Sequence, residues 1–320
     1  MTSISRKVVF DTDPGVDDAM ALLFLARAKA VRLLGVTTTL GNARIETTTR
    51  NALHLCERFG IDAPVAKGAA APLVLAGEEP SVAVHGQNGL GDVPLPDTIT
   101  KPLDGRAAHR FLIDTVRAHP GEVSIVAVGR MTNLALALRE DPDIAGLVRE
   151  VIVMGGAFGF NGQLGNVSPA AEANIAGDPH AADIVFGAAW PVTVVGLDVT
   201  HGVAMPTQYL RGLAEEGGEA ERFLWDVSRF YERFYHSVGL PHMYMHDSTA
   251  VAYLLDPSLF ETRSGTIRVV TEGIALGQTI QKPDTRRFAP GPWDGRPSQR
   301  ICTKVRAHGV LDLYRGTLLG

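Results

Sequence analysis

Short runs rich in Val and Ile recur along this chain between longer stretches with helical patterning, and no other feature restricts the fold as strongly. The clearest runs cover residues 7–10, 31–37, 123–128, 151–154 and 192–197. Apolar strands alternating with helices are what a parallel sheet covered on both faces requires, because each crossover lays a helix across the sheet. The expected fold is α/β: a mostly parallel central sheet flanked by helices, open and Rossmann-like, with its active site at the C-terminal ends of the strands. The intervening stretches carry helix chemistry. Residues 19–30 are apolar nearly all round, residues 46–59 stop at Gly60 in the manner of a C′ glycine, and residues 132–139 and 179–186 follow strands at short spacing.

Residues 214–246 mix charged and aromatic side chains without a strand pattern, which predicts a pair of helices over the sheet edge, within a helical segment at about 206–246 covering the site. From Arg263 onward strand-like alternation returns, and RRFAPGPWDGRPSQR reads as an exposed excursion rich in Pro and Gly. The chain has 320 residues, 45% of them hydrophobic and 20% charged, which suffices for one domain with a large core and no internal repeat.

Charge narrows the partners. Lys and Arg number 30 against 35 Asp and Glu, a formal charge of -5, and no basic run offers a track for phosphates, so nucleic acid is not an expected partner. No stretch approaches the roughly 18 apolar residues of a membrane span, and no apolar signal core precedes the first strand. The two cysteines, Cys56 and Cys302, lie far apart in neither a metal-ligand nor a redox spacing. These features predict a cytoplasmic protein.

The chemistry concentrates after the first strand. In DTDPGVDD, four carboxylates (Asp11, Asp13, Asp17 and Asp18) fall within eight residues around a Pro-Gly turn. Asp and Pro-Gly also cap helices and make turns, but a turn needs one or two acids, and four so close repel one another. A divalent cation relieves that repulsion. Calcium suits an all-oxygen cluster best, since it takes six to eight oxygens at about 2.3–2.6 Å in loose geometry. Asp17 and Asp18, adjacent on a helix, would diverge by about 100°, leaving one for the metal and one for a ligand. Asp11-Thr12-Asp13 after a strand also fits a metal-dependent phosphatase of the haloacid dehalogenase type, although the following Pro-Gly is not that family's usual continuation. A non-catalytic nucleoside- or ribose-binding protein is a further alternative.

The loop and several later segments together resemble the inosine-uridine-preferring nucleoside hydrolase family. Thr37-Thr38-Thr39-Leu40-Gly41-Asn42 is similar to its second-strand segment and His85-Gly86-Gln87-Asn88-Gly89-Leu90-Gly91 to its His-Gly loop. Gly129-Arg130-Met131-Thr132-Asn133 stands where the family has Gly-Pro-Leu-Thr-Asn. Met154-Gly155-Gly156, the segment from Asn166 to Asn174, and a helix-opening His246-Asp247 follow in the family's order. Residues 274–279 lack the arginine common in the family.

The resemblance implies hydrolysis of the N-glycosidic bond of ribonucleosides to ribose and free base. It implies calcium (Ca2+) held by Asp13, Asp18, Asp247 and the Thr132 backbone carbonyl, with Asp13 as the general base for a calcium-held water. It implies that Asp17, Asn42, Asn166, Glu172 and Asn174 hold the ribose, that Met154 lies against the sugar, and that His246 is catalytic near the base. It also implies a homodimer or homotetramer. The chemistry is coherent: breaking a ribosyl C–N bond builds oxocarbenium charge on the sugar, which carboxylates and amide oxygens stabilise. The aromatic run Phe230, Tyr231, Phe234, Tyr235 has helical spacing and reads first as core.

Overall fold

The computed structural model describes residues 5–77, 80 and 82–320. Its strands, in chain order, are β1 (Arg6–Thr12), β2 (Val31–Thr38), β3 (Val65–Ala66), β4 (Leu103–Asp104), β5 (Val123–Ala127), β6 (Glu150–Met154) and β7 (Val192–Val195). They continue with β8 (Ala204–Met205), β9 (Met243–Tyr244), β10 (Phe260–Val269), β11 (Thr279–Pro283) and β12 (Gln299–Val305). Among the described residues ten of these form one sheet in the order β11-β10-β12-β7-β6-β5-β1-β2-β3-β4, and β8 pairs with β9 in a small ribbon. Pairing from β4 through β1 to β7 and β12 is parallel, and only β10 runs antiparallel to its neighbours β11 and β12.

Both faces of the sheet are dry, which is why its strands read as nearly continuous apolar runs. Along β1, Val8 and Phe10 enter one core while Val9 enters the other; along β6, Ile152 and Met154 oppose Val151 and Val153. That is the period-two alternation of a pleated strand with apolar layers on both sides. The helix Val16–Arg27 is buried without a break from Val16 to Leu25 because it lies between the sheet and an outer layer that includes Glu219–Ser237 and Ala307–Leu319. On the opposite face, Ala108–Ala118, Thr132–Glu140 and Pro179–Gly187 cover the second core.

Some boundaries depart from sequence expectation. The strand expected over 192–197 stops at Val195, since Gly196 takes the N-cap position and Leu197 opens the short helix Leu197–Thr200. Gly60 does terminate its helix, with φ of 63° just past Ile45–Arg58. The expected helix pair exists as Thr207–Glu216 and Glu219–Ser237. Its position is different: the longer helix packs on Val16–Arg27, whose strand β1 is interior, so the pair roofs the centre of the molecule rather than a sheet edge. The Pro- and Gly-rich excursion after β11 is largely exposed and is tied down by Arg296 and Arg268, which both meet Asp183 at 2.9 Å. No described helix is long and apolar enough to cross a membrane.

Candidate active site

The C-terminal ends of the parallel strands deliver the polar residues to one place. After β1 the chain turns at Pro14-Gly15, and Asp17 and Asp18 occupy the first turn of the helix Val16–Arg27. Asp18 works as its capping acid. Its carboxylate accepts from the Gly15 amide (2.9 Å), the Asp13 amide (3.1 Å), the Asn42 side chain (2.7 Å) and the Thr12 hydroxyl, so the acid also shapes the loop. Asp13 accepts the Asn42 amide on Oδ2 at 2.8 Å, while its Oδ1 is buried without a partner, as is Oδ1 of Asp17.

Asp13 is held between two backbones. A Cβ on Gly41 would overlap the Asp13 carboxylate, and one on Gly129 would lie 2.5 Å from Asp13 Oδ1. Only glycine lets the β2 and β5 loops approach so closely.

Asp247 arrives from the opposite direction, in the first turn of His246–Leu255. Oxygens of Asp17, Asp18 and Asp247 lie within 4.8 Å of one another, forming a buried acidic cluster that could hold a metal ion. Burial raises the carboxyls of Asp13 and Asp247 well above the usual range, with the charges of their acidic neighbours adding to the effect. Burial raises Asp17 to about 6, and burial and then the Asp17 charge raise Asp18. The donor set fits a hard cation: all oxygen and mutually repelling, with Oδ1 of Asp17 bare; Asp13, expected among the ligands, lies outside this group of three and has its own bare Oδ1. Asp17, expected on sequence grounds to face the ligand, offers an oxygen to the same space as Asp18, because two short side chains on one helical turn can converge even where their Cβ directions diverge.

The other expected residues sit at the ends of β5 and β6 and on the segments that follow them. Glu172 is buried and caps Ala173–Gly177, accepting from the amides of Asn174 (2.9 Å), Ile175 (3.1 Å) and Gly156 (2.9 Å). Burial nonetheless raises its pKa, these three bonds pulling the other way. Asn174 donates to the carbonyls of Val128 (2.8 Å) and Met154 (3.2 Å), joining the ends of β5 and β6. Asn166 is exposed on the loop before this helix, and its Oδ1 accepts the Ala173 amide at 3.0 Å. Thr132 is buried at the start of Thr132–Glu140.

The tyrosines read first as core belong to the site. Tyr231 donates to Asp17 Oδ2 at 3.1 Å, Tyr235 lies 3.2 Å from the Tyr231 hydroxyl, and His246 Nε2 lies 2.8 Å from the Tyr235 hydroxyl. Thr200 closes the row at 2.8 Å from His246 Nδ1. A single direction satisfies every group: Tyr231 gives its proton to Asp17, so Tyr235 donates to Tyr231, His246 Nε2–H donates to Tyr235, and Nδ1 accepts from Thr200. Both nitrogens of His246 are thus engaged inside the protein. Burial, then the neighbouring His201 and His85, hold its pKa down at about 3, so it is neutral. His85 stacks on Tyr231 with ring centroids 5.3 Å apart and accepts the Val16 amide at 3.1 Å. Polar tips at one-turn spacing, four residues apart, are the signal that could have marked Tyr231 and Tyr235 as more than core. Asp11, named in the loop without a role, is buried near the end of β1, held by Thr37 and by Asn133 at 2.8 Å.

Comparison with known proteins identifies the family. The family model described as inosine-uridine preferring nucleoside hydrolase matches residues 8–312. Uridine nucleosidase 1 of Arabidopsis thaliana is 41% identical over 319 residues, covering 98% of this chain and 93% of the relative. Among solved structures, a plant nucleoside hydrolase, PpNRh1, superposes with a TM-score of 0.93 at 37% identity, covering 98% of this chain and 99% of that one. A purine-preferring ribonucleoside hydrolase from Gardnerella vaginalis gives 0.90 at 33% identity, with 98% of each chain covered. The chain therefore belongs to the inosine-uridine preferring nucleoside hydrolase family and is an enzyme that hydrolyses the N-glycosidic bond of ribonucleosides.

Proposed function

We propose that the reaction uses Asp13 as general base and calcium as the resident ion, held by Asp13, Asp18, Asp247 and the Thr132 carbonyl. The observation that carries this reading is the buried acidic cluster whose ionisation burial and mutual repulsion both oppose, with Oδ1 of Asp13 left bare. Calcium, when bound, supplies positive charge that acidifies a water and orients the vicinal ribose hydroxyls. Asp13, pinned between Gly41 and Gly129, has one open oxygen with which to take the water proton.

Asp17, Asn42, Asn166, Glu172 and Asn174 hold the ribose, Met154 packs on it, and their carboxylates and amide oxygens stabilise the oxocarbenium charge that develops as the C–N bond lengthens. His246 is proposed to assist departure of the base, its imidazole oriented by Tyr235 at Nε2 and Thr200 at Nδ1. Uridine is among the proposed substrates, following the name of the Arabidopsis relative. The test is release of reducing sugar from inosine, adenosine, guanosine, uridine and cytidine, with and without a calcium-selective chelator. No release from any of the five sinks the reading, and full turnover by verified calcium-free protein sinks the role of the ion.

A further inference from the structure

The turn that carries Thr132 lacks the usual devices for fixing a helix start. Met131 stands at the N-cap with no side-chain acceptor to offer, and Arg130 before it has no ring to fix φ. Two buried side chains hold it, Asp178 from another element and Asn133 from the helix itself. Asp178, fully buried, accepts the Thr132 hydroxyl on Oδ2 at 2.8 Å and caps Pro179–Gly187 through Oδ1 at 3.0 Å to the Ala181 amide. Asn133, also fully buried, donates to Asp11 Oδ1 at 2.8 Å and to the Thr38 carbonyl at 2.9 Å. The same two side chains reach the loop after β3: Asp178 Oδ2 accepts the Leu73 amide and Asn133 Oδ1 accepts the Ala69 amide, each at 2.9 Å. Gly68 is packed so tightly here that a Cβ would strike Asn133 and the Thr38 carbonyl.

We infer that Asp178 and Asn133 are positioning residues for the reaction: by clamping the Thr132 hydroxyl and the Asn133 amide they aim the Thr132 carbonyl at the acidic cluster and lock residues 69–73 to that aim. The inference rests on the proposal that this carbonyl is an ion ligand. Each polar atom of the clamp except Asp11 Oδ2 has a partner, so removing one donor leaves a buried carboxylate short of a bond and frees the turn to shift. Orientation lost one residue from a ligand reads out as ion affinity.

The test is Thr132→Val, which keeps the backbone carbonyl and the side-chain volume and deletes only the hydroxyl, with Thr132→Ser as the conservative rescue. Tyrosine-sensitised terbium luminescence on stripped protein measures ion affinity, calorimetry of the ion-free protein measures folding, and kcat and KM are taken for uridine. Thr132→Val should weaken terbium binding by about ten-fold or more and lower kcat more than it raises KM, while the ion-free melting temperature stays within a few degrees. Thr132→Ser should recover affinity and kcat to within about three-fold of the unaltered protein, because its hydroxyl can make the same bond. Unchanged affinity in Thr132→Val, or a loss confined to folding and shared by Thr132→Ser, overturns the inference. Unaltered protein that binds no terbium overturns the ion reading and this inference with it; tight binding by both unaltered protein and Thr132→Val overturns the clamp alone.

Discussion

Stripping the ion should invert the way stability depends on pH. In ion-free protein the carboxyls of Asp11, Asp13, Asp17, Asp18 and Asp247 are all raised, chiefly by burial. A group raised in the fold contributes its full stability below its unfolded pKa and loses it as pH climbs through the folded value. Asp11, moved from 3.8 to about 7, defines a window from about pH 4 to 7, and Asp17, moved to about 6, falls inside it. At about 1.4 kcal/mol per pH unit, keeping Asp11 ionised in the fold above that window costs on the order of 4 kcal/mol. For a chain of this size that is on the order of 5–10 °C in melting temperature. Calcium reverses the slope for the carboxylates around it, since binding displaces their protons and tightens as they ionise. Scanning calorimetry at pH 5, 6, 7 and 8, in chelator and in millimolar calcium, should give an ion-free melting temperature that falls with pH and a calcium-induced rise that grows with pH. An ion-free melting temperature that climbs from pH 5 to 8, or a calcium effect equal at pH 5 and 8, would refute the buried-carboxylate reasoning.

Other outcomes follow from the same geometry. Asp13→Ala should lose at least about three orders of magnitude in kcat, combining loss of a base worth roughly 10² to 10⁴ with a damaged ion site. Asp17→Ala should keep calcium, measured by atomic absorption, and weaken ribose binding; since Asp17 shares the acidic cluster with Asp18 and Asp247, loss of calcium in Asp17→Ala but not in Asp13→Ala would exchange the two roles. His246→Ala should cut turnover of natural nucleosides by about 10² to 10⁴ while sparing a nitrophenyl riboside, whose leaving group needs no proton, and Tyr235→Phe should move in the same direction. Equal losses on both substrates would instead make the row a support for the sugar or the ion.

The sheet was legible in the sequence because burial on both faces leaves β1, β5, β6 and β7 with short, mostly apolar runs, which alternate with helical stretches as a parallel sheet requires. The acidic loop was legible for a local reason, four carboxylates that a turn does not need. The links across the chain were not. Asp178 before Pro179 reads as an ordinary helix cap and is one, yet its second oxygen serves Thr132 and Leu73, which no spacing along the sequence announces. Tyr231 and Tyr235 have the spacing of a buried helical face and are indeed buried; their hydroxyls acquire meaning only when the helix lies over Asp17 and His246. That placement of the helix pair, at the centre and not the edge, depends on which layer the chain crosses, and an amphipathic pattern is silent about that.

The glycine sandwich around Asp13 has a consequence for the enzyme's capacity to change. Gly41 and Gly129 border Asp13 from the loops after β2 and β5, so in a saturation library both should tolerate almost no replacement, alanine included. Variation around Asp13 therefore has to come from side chains other than those of these two positions. The slot that holds Asp13 is closed to gradual remodelling, because its first step, one added methyl, already falls on the carboxylate.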